Sequence, residues 1–376
     1  MKKYLLIIPI FVIVILGAWA LWPRASEAPV EDPQTGLPFG EGGGGSSTFS
    51  QTITNTEGEI KLIGGSGANE ATKLWKLTNS PIAGFVVLQR SASTTVRYAD
   101  RATGHVFDIS LPKVVKNRVN NNTLPKIYKA VFRSDGNAVI YQSLGEDLET
   151  IESLSINLAS TTTPARALSN NIESLTAGTG DLIYYIIKDS SKIVSSNFAG
   201  GNTRELFSSA FNNWRISPPL IYTKPNANIG GYLYSLSPLR KVAGPLNGLT
   251  AVSGSNKILY SYFEGGVLKL NASGVDVLPA ALAEKCIWSR KNLQTFYCGT
   301  STGGVSAVDL NKWYLGETSF SDYIWSFNTN TEAAKLIFEP TDFGVSLDVI
   351  SPALSSDEKY LVFMNKSDLT LWAVGL

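Results

Sequence analysis

The sequence predicts an all-β protein made of repeated four-stranded sheets, with an apolar segment at its N-terminus. Short apolar strands that end in an aromatic residue recur at nearly regular intervals along the chain. Glycine (33 residues), tyrosine (15) and phenylalanine (16) are abundant, and these residue types favour strands and tight turns. Methionine is rare, with two residues, and long amphipathic stretches are hard to find.

Residues 1–22 predict a transmembrane helix. Two lysines precede an uncharged apolar run of nineteen residues, Tyr4–Trp22, and about 20 residues are needed to cross a bilayer core. Because positive charge stays inside, the helix would be a single-pass anchor in the cytoplasmic membrane, with its N-terminus in the cytoplasm and the remaining chain outside. The alternative is a cleaved signal peptide, since Gly17 could end the helix and Ala18-Trp19-Ala20 offers small residues for a peptidase. The protein would then be secreted.

Residues 23–56 predict a linker. Four prolines, Pro23, Pro29, Pro33 and Pro38, are followed by the run Gly42–Ser47. Such a stretch buries too little apolar surface to offset the entropy of ordering it. The remaining residues, 57–376, are enough for one large domain.

A repeat runs through this domain. Its marker residues follow one another at intervals of 43, 38, 38 and 37 residues, and they are Tyr141, Tyr184, Tyr222, Tyr260 and Tyr297. The next marker, Phe363, comes 66 residues later and indicates an insertion, and the strand Phe85–Leu88 supplies an earlier member. A period near 40 residues with several short strands predicts the blades of a β-propeller. Seven blades are expected, six or eight are possible, and a β-sandwich is the alternative fold.

Two of the repeats carry a family resemblance. Phe132–Gly136, followed by Tyr141, resembles the turn and strand of TolB-like, WD-like propeller repeats. Ser355-Ser356-Asp357, followed by Phe363 and then by Leu371-Trp372, is similar to the same unit. The family's usual proline before the aspartate is a serine in both repeats. The resemblance implies an architecture, and it implies no catalytic residue.

The ends of the domain predict how the ring closes. The last repeat has three strands, at 347–350, 360–363 and 369–374, before the chain ends. The alternating segment Glu59–Ile63 is expected to supply the fourth strand and so to remove an open sheet edge.

The two cysteines, Cys286 and Cys298, predict a disulfide. They flank a hairpin centred on Asn292, six residues from each of them, so they would lie opposite one another. Oxidation is permitted outside the cytoplasm. Two reduced, buried thiols are the alternative.

Two segments are candidate binding surfaces. The first, residues 113–133, is basic and free of acidic residues, and its basic members are Lys113, Lys116, Arg118, Lys126, Lys129 and Arg133. It could contact anionic groups or an acidic partner, and a solvated loop is the alternative. The second lies in the insertion and contains Trp313 and Tyr314, residue types that are enriched at interfaces. Packing under the insertion would explain them equally well.

The sequence offers no recognisable catalytic set, metal site or cofactor motif. His105 is the only histidine, which excludes a site of several histidines and leaves no identifiable triad. Asp322, Asp342 and Asp348 lie in the insertion or beside the last repeat, where paired carboxylates could hydrolyse a glycosidic bond. Ordinary turn carboxylates are the simpler interpretation.

The leading functional hypothesis is a non-enzymatic scaffold, tethered to the membrane in the cell envelope, that binds a protein partner. A net charge of +1, from 32 basic and 31 acidic residues, gives no reason to expect nucleic acid. The first alternative is a hydrolase of an envelope glycan or peptide, with carboxylates in the propeller channel. The second is a carbohydrate or small-ligand sensor that uses aromatic residues such as Trp214. The oligomeric state is left open.

Overall fold

The computed structural model describes residues 52–55, 58–64 and 73–376, except 91–92, 161–162, 212 and 255–256. The predicted anchor, 1–22, and most of the predicted linker, 23–56, lie outside the described residues and stay predictions. Within the described part of the chain, no helix combines the length and the apolar character that crossing a membrane requires.

The described chain is all-β, with 29 strands and one α-helix. The strands at its beginning are β1 (Thr52–Asn55), β2 (Gly58–Gly64) and β3 (Lys73–Lys76). The next sheet contains β4 (Ile82–Arg90), β5 (Ser93–Asp100), β6 (Val106–Leu111) and β7 (Val115–Arg118). It is followed by β8 (Ile127–Phe132), β9 (Ala138–Leu144), β10 (Ile151–Asn157) and β11 (Arg166–Ala167). The next four strands are β12 (Ile172–Ala177), β13 (Leu182–Ile187), β14 (Lys192–Asn197) and β15 (Arg204–Ser208).

The second half of the chain begins with a seven-stranded sheet. Its strands are β16 (Trp214–Ser217), β17 (Leu220–Thr223), β18 (Gly230–Leu236), β19 (Leu239–Gly254), β20 (Lys257–Glu264), β21 (Val267–Ala272) and β22 (Val275–Asp276). The next sheet contains β23 (Cys286–Trp288), β24 (Thr295–Ser301), β25 (Asp322–Asn328) and β26 (Ala333–Phe338). The last strands are β27 (Val349–Leu354), β28 (Tyr360–Asn365) and β29 (Leu371–Gly375). The α-helix is α1 (Ala307–Leu315), and two 3-10 turns span Ala283–Lys285 and Pro340–Phe343.

Sequential strands pair antiparallel in every sheet, as short strands joined by tight turns would. The 16-residue strand β19 belongs to two four-stranded units, β16–β19 and β19–β22. Its first half pairs with β18, and its second half pairs with β20, from Asn247 opposite Phe263 to Gly254 opposite Lys257. The seven-stranded sheet is therefore two four-stranded units that share one long strand.

The chain ends are joined by strand pairing. β3 pairs with β29, with Lys76 opposite Trp372 and Leu74 opposite Val374, while β2 pairs with β3 on its other side. The expectation that residues 59–63 supply the fourth strand was wrong, because Lys73–Lys76 occupies that place. Both segments are short, so their local pattern alone could not decide which of them reaches the last sheet.

The first strands of successive units form a closed ring. β4 contacts β8, β8 contacts β12, β12 contacts β16 and β16 contacts β19, which contacts β23. β23 then contacts β27, and β27 returns to β4. The hydrophobic core lies between neighbouring sheets: one cluster joins Ala83 and Val106 to Ile127 and Val139. The ring leaves a cavity at its centre, called here the central cavity.

The tyrosine markers of the repeat occupy the second strand of each unit, since they lie in β9, β13, β17, β20 and β24. The earlier member was misassigned, because Phe85 lies in the first strand of its unit, β4. Tyr98 in β5 holds the equivalent place. First and second strands are both apolar, so the marker pattern did not separate them.

A disulfide joins Cys286 to Cys298. The two residues lie directly opposite one another in the β23–β24 pair, and both are buried beside Trp288 and Phe296.

Replacing both cysteines with alanine should lower the free energy of unfolding by up to about 3 kcal/mol, the usual loss for a short closed loop. Denaturant titration of the wild type and the double variant would measure it. Adding reductant should affect the wild type alone, and equal stabilities without reductant would contradict the expectation.

Candidate active site in the central cavity

The central cavity has a volume of about 680 Å³. Its wall is built from the first strands of several units, from the 3-10 turn Ala283–Lys285 and from α1. Eight titratable side chains line it, and they are Arg101, Tyr128, Lys129, Arg215, Tyr222, Glu284, Tyr314 and Lys366. A volume of this size is typical of a site for a small molecule.

Glu284 and Tyr314 form a hydrogen-bonded pair in this wall. Glu284 lies in the 3-10 turn just before β23, and the Tyr314 hydroxyl, in the last turn of α1, donates to its Oε1 atom. Burial raises the pKa of Glu284, although the Tyr314 hydrogen bond and the Arg215 charge oppose the rise. Burial and the Glu284 charge hold the pKa of Tyr314 well above its usual value. Tyr314 therefore stays a proton donor, while Glu284 can gain or lose a proton closer to neutral pH than most glutamates can.

A buried ion cluster, outside the cavity lining, supports the Glu284–Tyr314 pair. The Lys285 Nζ atom lies 2.5 Å from Asp322 Oδ2 and 2.6 Å from Asp348 Oδ1. The Trp313 indole donates to Asp348 Oδ2 at 2.8 Å. Lys285 follows Glu284 in sequence and Trp313 precedes Tyr314, so the cluster fixes the residue beside each member of the pair.

The cluster has two carboxylates for one ammonium. Burial raises the pKa of Asp322, the Lys285 charge opposes the rise, and the nearby Asp348 reinforces it. Asp322 Oδ1 is buried, and the described residues offer it no hydrogen-bond partner. Asp322 and Asp348 are fully buried and do not line the cavity, so these two sequence candidates hold structure together instead of facing a ligand.

Four cations line the same cavity as the acid–base pair, and they are Arg101, Lys129, Arg215 and Lys366. Lys129 lies in β8 and donates through Nζ to the Leu175 carbonyl of β12 at 2.7 Å. Burial, aided by the charge of Arg215, lowers the pKa of Lys129 to about 8. Arg215 lies in β16, and Lys366 follows β28, where it donates to the Trp313 carbonyl at 2.8 Å.

The structure places part of each segment that the sequence singled out in the wall of the central cavity. Trp313 and Tyr314 both line it, and so does Lys129 of the basic segment. The other basic members do not line it: Lys113, Lys116 and Arg118 lie in or beside β7, the fourth strand of the preceding sheet. Lys116 lies over the Phe107 ring at 4.2 Å, and the Arg118 guanidinium lies 3.2 Å from His105 Nδ1. Lys113 and Lys126 are exposed, as is Asp342 in the second 3-10 turn.

Sequence reasoning missed most of the residues in the cavity wall. Arg215, which was missed, interrupts a first strand next to Trp214. Lys129, which the sequence grouped with the basic segment, does the same next to Tyr128. The sequence signal that could have identified both residues as cavity residues is a charged side chain in the first strand of a repeat, the strand nearest the centre of the ring. Glu284 carried none, because it precedes a strand in a segment with no regular pattern.

No protein-family model matches the chain, and no curated protein matches it. Among solved structures, an oligogalacturonate lyase in complex with manganese matches with a TM-score of 0.40 and 10% identity, covering 87% of this chain and 96% of that one. An oligogalacturonate lyase from Vibrio parahaemolyticus matches with a TM-score of 0.39 and 8% identity, covering 87% and 98%. These values carry no substrate, metal or mechanism over to this chain.

The main functional interpretation from the sequence, a non-enzymatic protein-binding scaffold, was wrong. The hydrogen-bonded Glu284–Tyr314 pair in the wall of the central cavity favours the enzymatic alternative. The physical reason for the error is that the acid–base pair is assembled from two segments, at Glu284 and Tyr314, that have no common sequence motif.

Proposed function

We propose that the protein is an enzyme and that the central cavity is its active site. The observation that carries this proposal is the hydrogen bond between Glu284 and Tyr314 inside a cavity that four cationic side chains also line. A carboxyl group with a raised pKa, a phenol donor and nearby positive charge are the components of general acid–base catalysis. We further propose that the closed ring is a seven-bladed β-propeller, which the cyclic contacts of seven first strands support.

The proposed reaction is a proton transfer on a glycan or peptide. Hydrolysis by two opposed carboxylates needs a second acid, and Glu284 is the one carboxylate among the described lining residues. In the proposed mechanism, Glu284 accepts a proton from the substrate or from a water molecule, and Tyr314 orients its carboxylate. Arg215 and Lys366 stabilise the negative charge that develops on the substrate.

Glu284→Gln should lower kcat by about 10²- to 10⁴-fold, the usual contribution of a positioned acid or base. Tyr314→Phe should cause a smaller loss, because the base remains but its orienting donor is removed. The measurement is turnover of a panel of glycans and peptides by the purified full chain, with products followed by mass spectrometry.

A second tyrosine–glutamate pair offers a matched control. The Tyr323 hydroxyl donates to Glu339 Oε1 outside the central cavity. Glu339→Gln and Tyr323→Phe should leave turnover unchanged. As the pH falls, the wild type should lose kcat/KM at a higher pH than an ordinary glutamate would dictate, because burial raises the pKa of Glu284. Full activity of Glu284→Gln would contradict the proposal.

A further inference from the structure

The Arg215 guanidinium has no acceptor among the described residues. Its side chain lines the central cavity, and no hydrogen bond or ion pair joins it to another part of the described chain. The buried Arg97, by contrast, donates to both carboxylate oxygens of Asp108 and to the Gly136 carbonyl. A guanidinium has five donors and keeps its charge, so an unpaired one in a cavity is suited to an anionic ligand.

A second cation lies close to Arg215. Lys129 lies in β8, which is separated from the Arg215 strand, β16, by one strand of the ring, β12. The positive charges of Lys129 and Arg215 repel each other across the cavity. The one partner of the Lys129 ammonium among the described residues is a neutral carbonyl, that of Leu175. An anion between the two side chains would relieve the repulsion and supply the acceptor that Arg215 lacks.

We propose that Lys129 and Arg215 form an anion subsite that binds a carboxylate group of the substrate. The planar guanidinium fork matches the two oxygens of a carboxylate, and the ammonium adds a point charge. This inference rests on the proposed function, because the subsite lies in the same cavity as Glu284 and would orient the substrate against it. The substrate class is therefore acidic, with a carboxylate carried by a sugar or by a peptide.

The subsite has a defined pH dependence. Lys129 is charged below about pH 8 and neutral above it, while a carboxylate ligand stays charged throughout. Affinity should therefore fall as the pH rises through about 8. The other titratable groups that line this cavity are Arg101, Tyr128, Tyr222, Glu284, Tyr314 and Lys366, and burial keeps the three phenols neutral over this range.

The test is a titration of the purified full chain by calorimetry with four probes: a uronic-acid oligosaccharide, its neutral counterpart, an acidic peptide and inorganic phosphate. Arg215→Gln and Lys129→Met should each weaken binding of the carboxylate probe by about 10- to 100-fold, as loss of a charge-assisted hydrogen bond does. Arg166→Gln is the matched control, because Arg166 is exposed on the last strand of its sheet, away from the cavity. It should bind like the wild type.

The outcomes separate the two proposals. Preference for the oligosaccharide identifies a sugar acid, and preference for the peptide identifies an acidic peptide. Phosphate binding as tightly as either, or unchanged affinity in both variants, would overturn the subsite. Glu284→Gln should bind the acidic probe at least as tightly as the wild type, because it removes a negative charge that attracts Arg215, and it should not turn the probe over. If the wild type binds acids but turns over nothing, the proposed enzymatic activity is contradicted and the anion subsite is supported. If it turns over neutral substrates alone, the enzymatic activity is supported and the anion subsite is contradicted.

Discussion

Lys285→Met should lower the free energy of unfolding by about 3–5 kcal/mol. The substitution leaves Asp322 and Asp348 facing one another with no cation, and both carboxyl groups are fully buried. Removing one partner of a buried ion cluster costs this much because the remaining charge can neither be paired nor hydrated. Denaturant titration at neutral pH would measure the loss, which should shrink at low pH as the carboxyl groups take up protons.

Two further variants show that the buried charge is the cause. Asp322→Asn should cost clearly less than Lys285→Met, because it leaves one carboxylate paired with one ammonium. Lys192→Met removes an exposed ion pair with Glu205 and should change stability by less than about 1 kcal/mol. Equal stabilities of wild type and Lys285→Met would show that the cluster does not hold the last two sheets and α1 together.

Gly84→Ala should destabilise the fold by at least about 3 kcal/mol, the upper end of the range for overpacking. A Cβ atom at position 84 would lie 2.0 Å from the Ala130 carbonyl oxygen and 3.0 Å from its carbon. Both groups belong to first strands of the ring, β4 and β8, so the clash is between backbones and no side chain can move aside. The expected readout is a lower denaturation midpoint with an unchanged slope.

Gly303→Ala is the matched control for this substitution. A Cβ atom there would meet nothing within 4 Å. Its effect should stay within about 0.5 kcal/mol, as for most surface substitutions. A Gly84→Ala variant that is as stable as Gly303→Ala would mean that β4 and β8 do not pack closely.

The strand pattern could be predicted because it depends on neighbours in sequence. Tyr141, Tyr184 and Tyr260 each follow a turn and end an apolar run, and both features are local. The opposition of Cys286 and Cys298 is also local, because a hairpin of known centre fixes which residues face each other. The sequence also predicted that an N-terminal strand would complete the last sheet, but it pointed to residues 59–63 where the structure has Lys73–Lys76.

The amino-acid sequence by itself determined the all-β class, the repeat of about 40 residues and the hairpin that carries the disulfide, because these depend on contacts between residues close in the chain. Only the tertiary structure decided which side chains share the central cavity. Lys129, Arg215, Glu284 and Lys366 come from different parts of the ring, and no spacing in sequence records that they converge. Their meeting follows from the closure of the ring, which sets the distances between strands that are far apart in the chain.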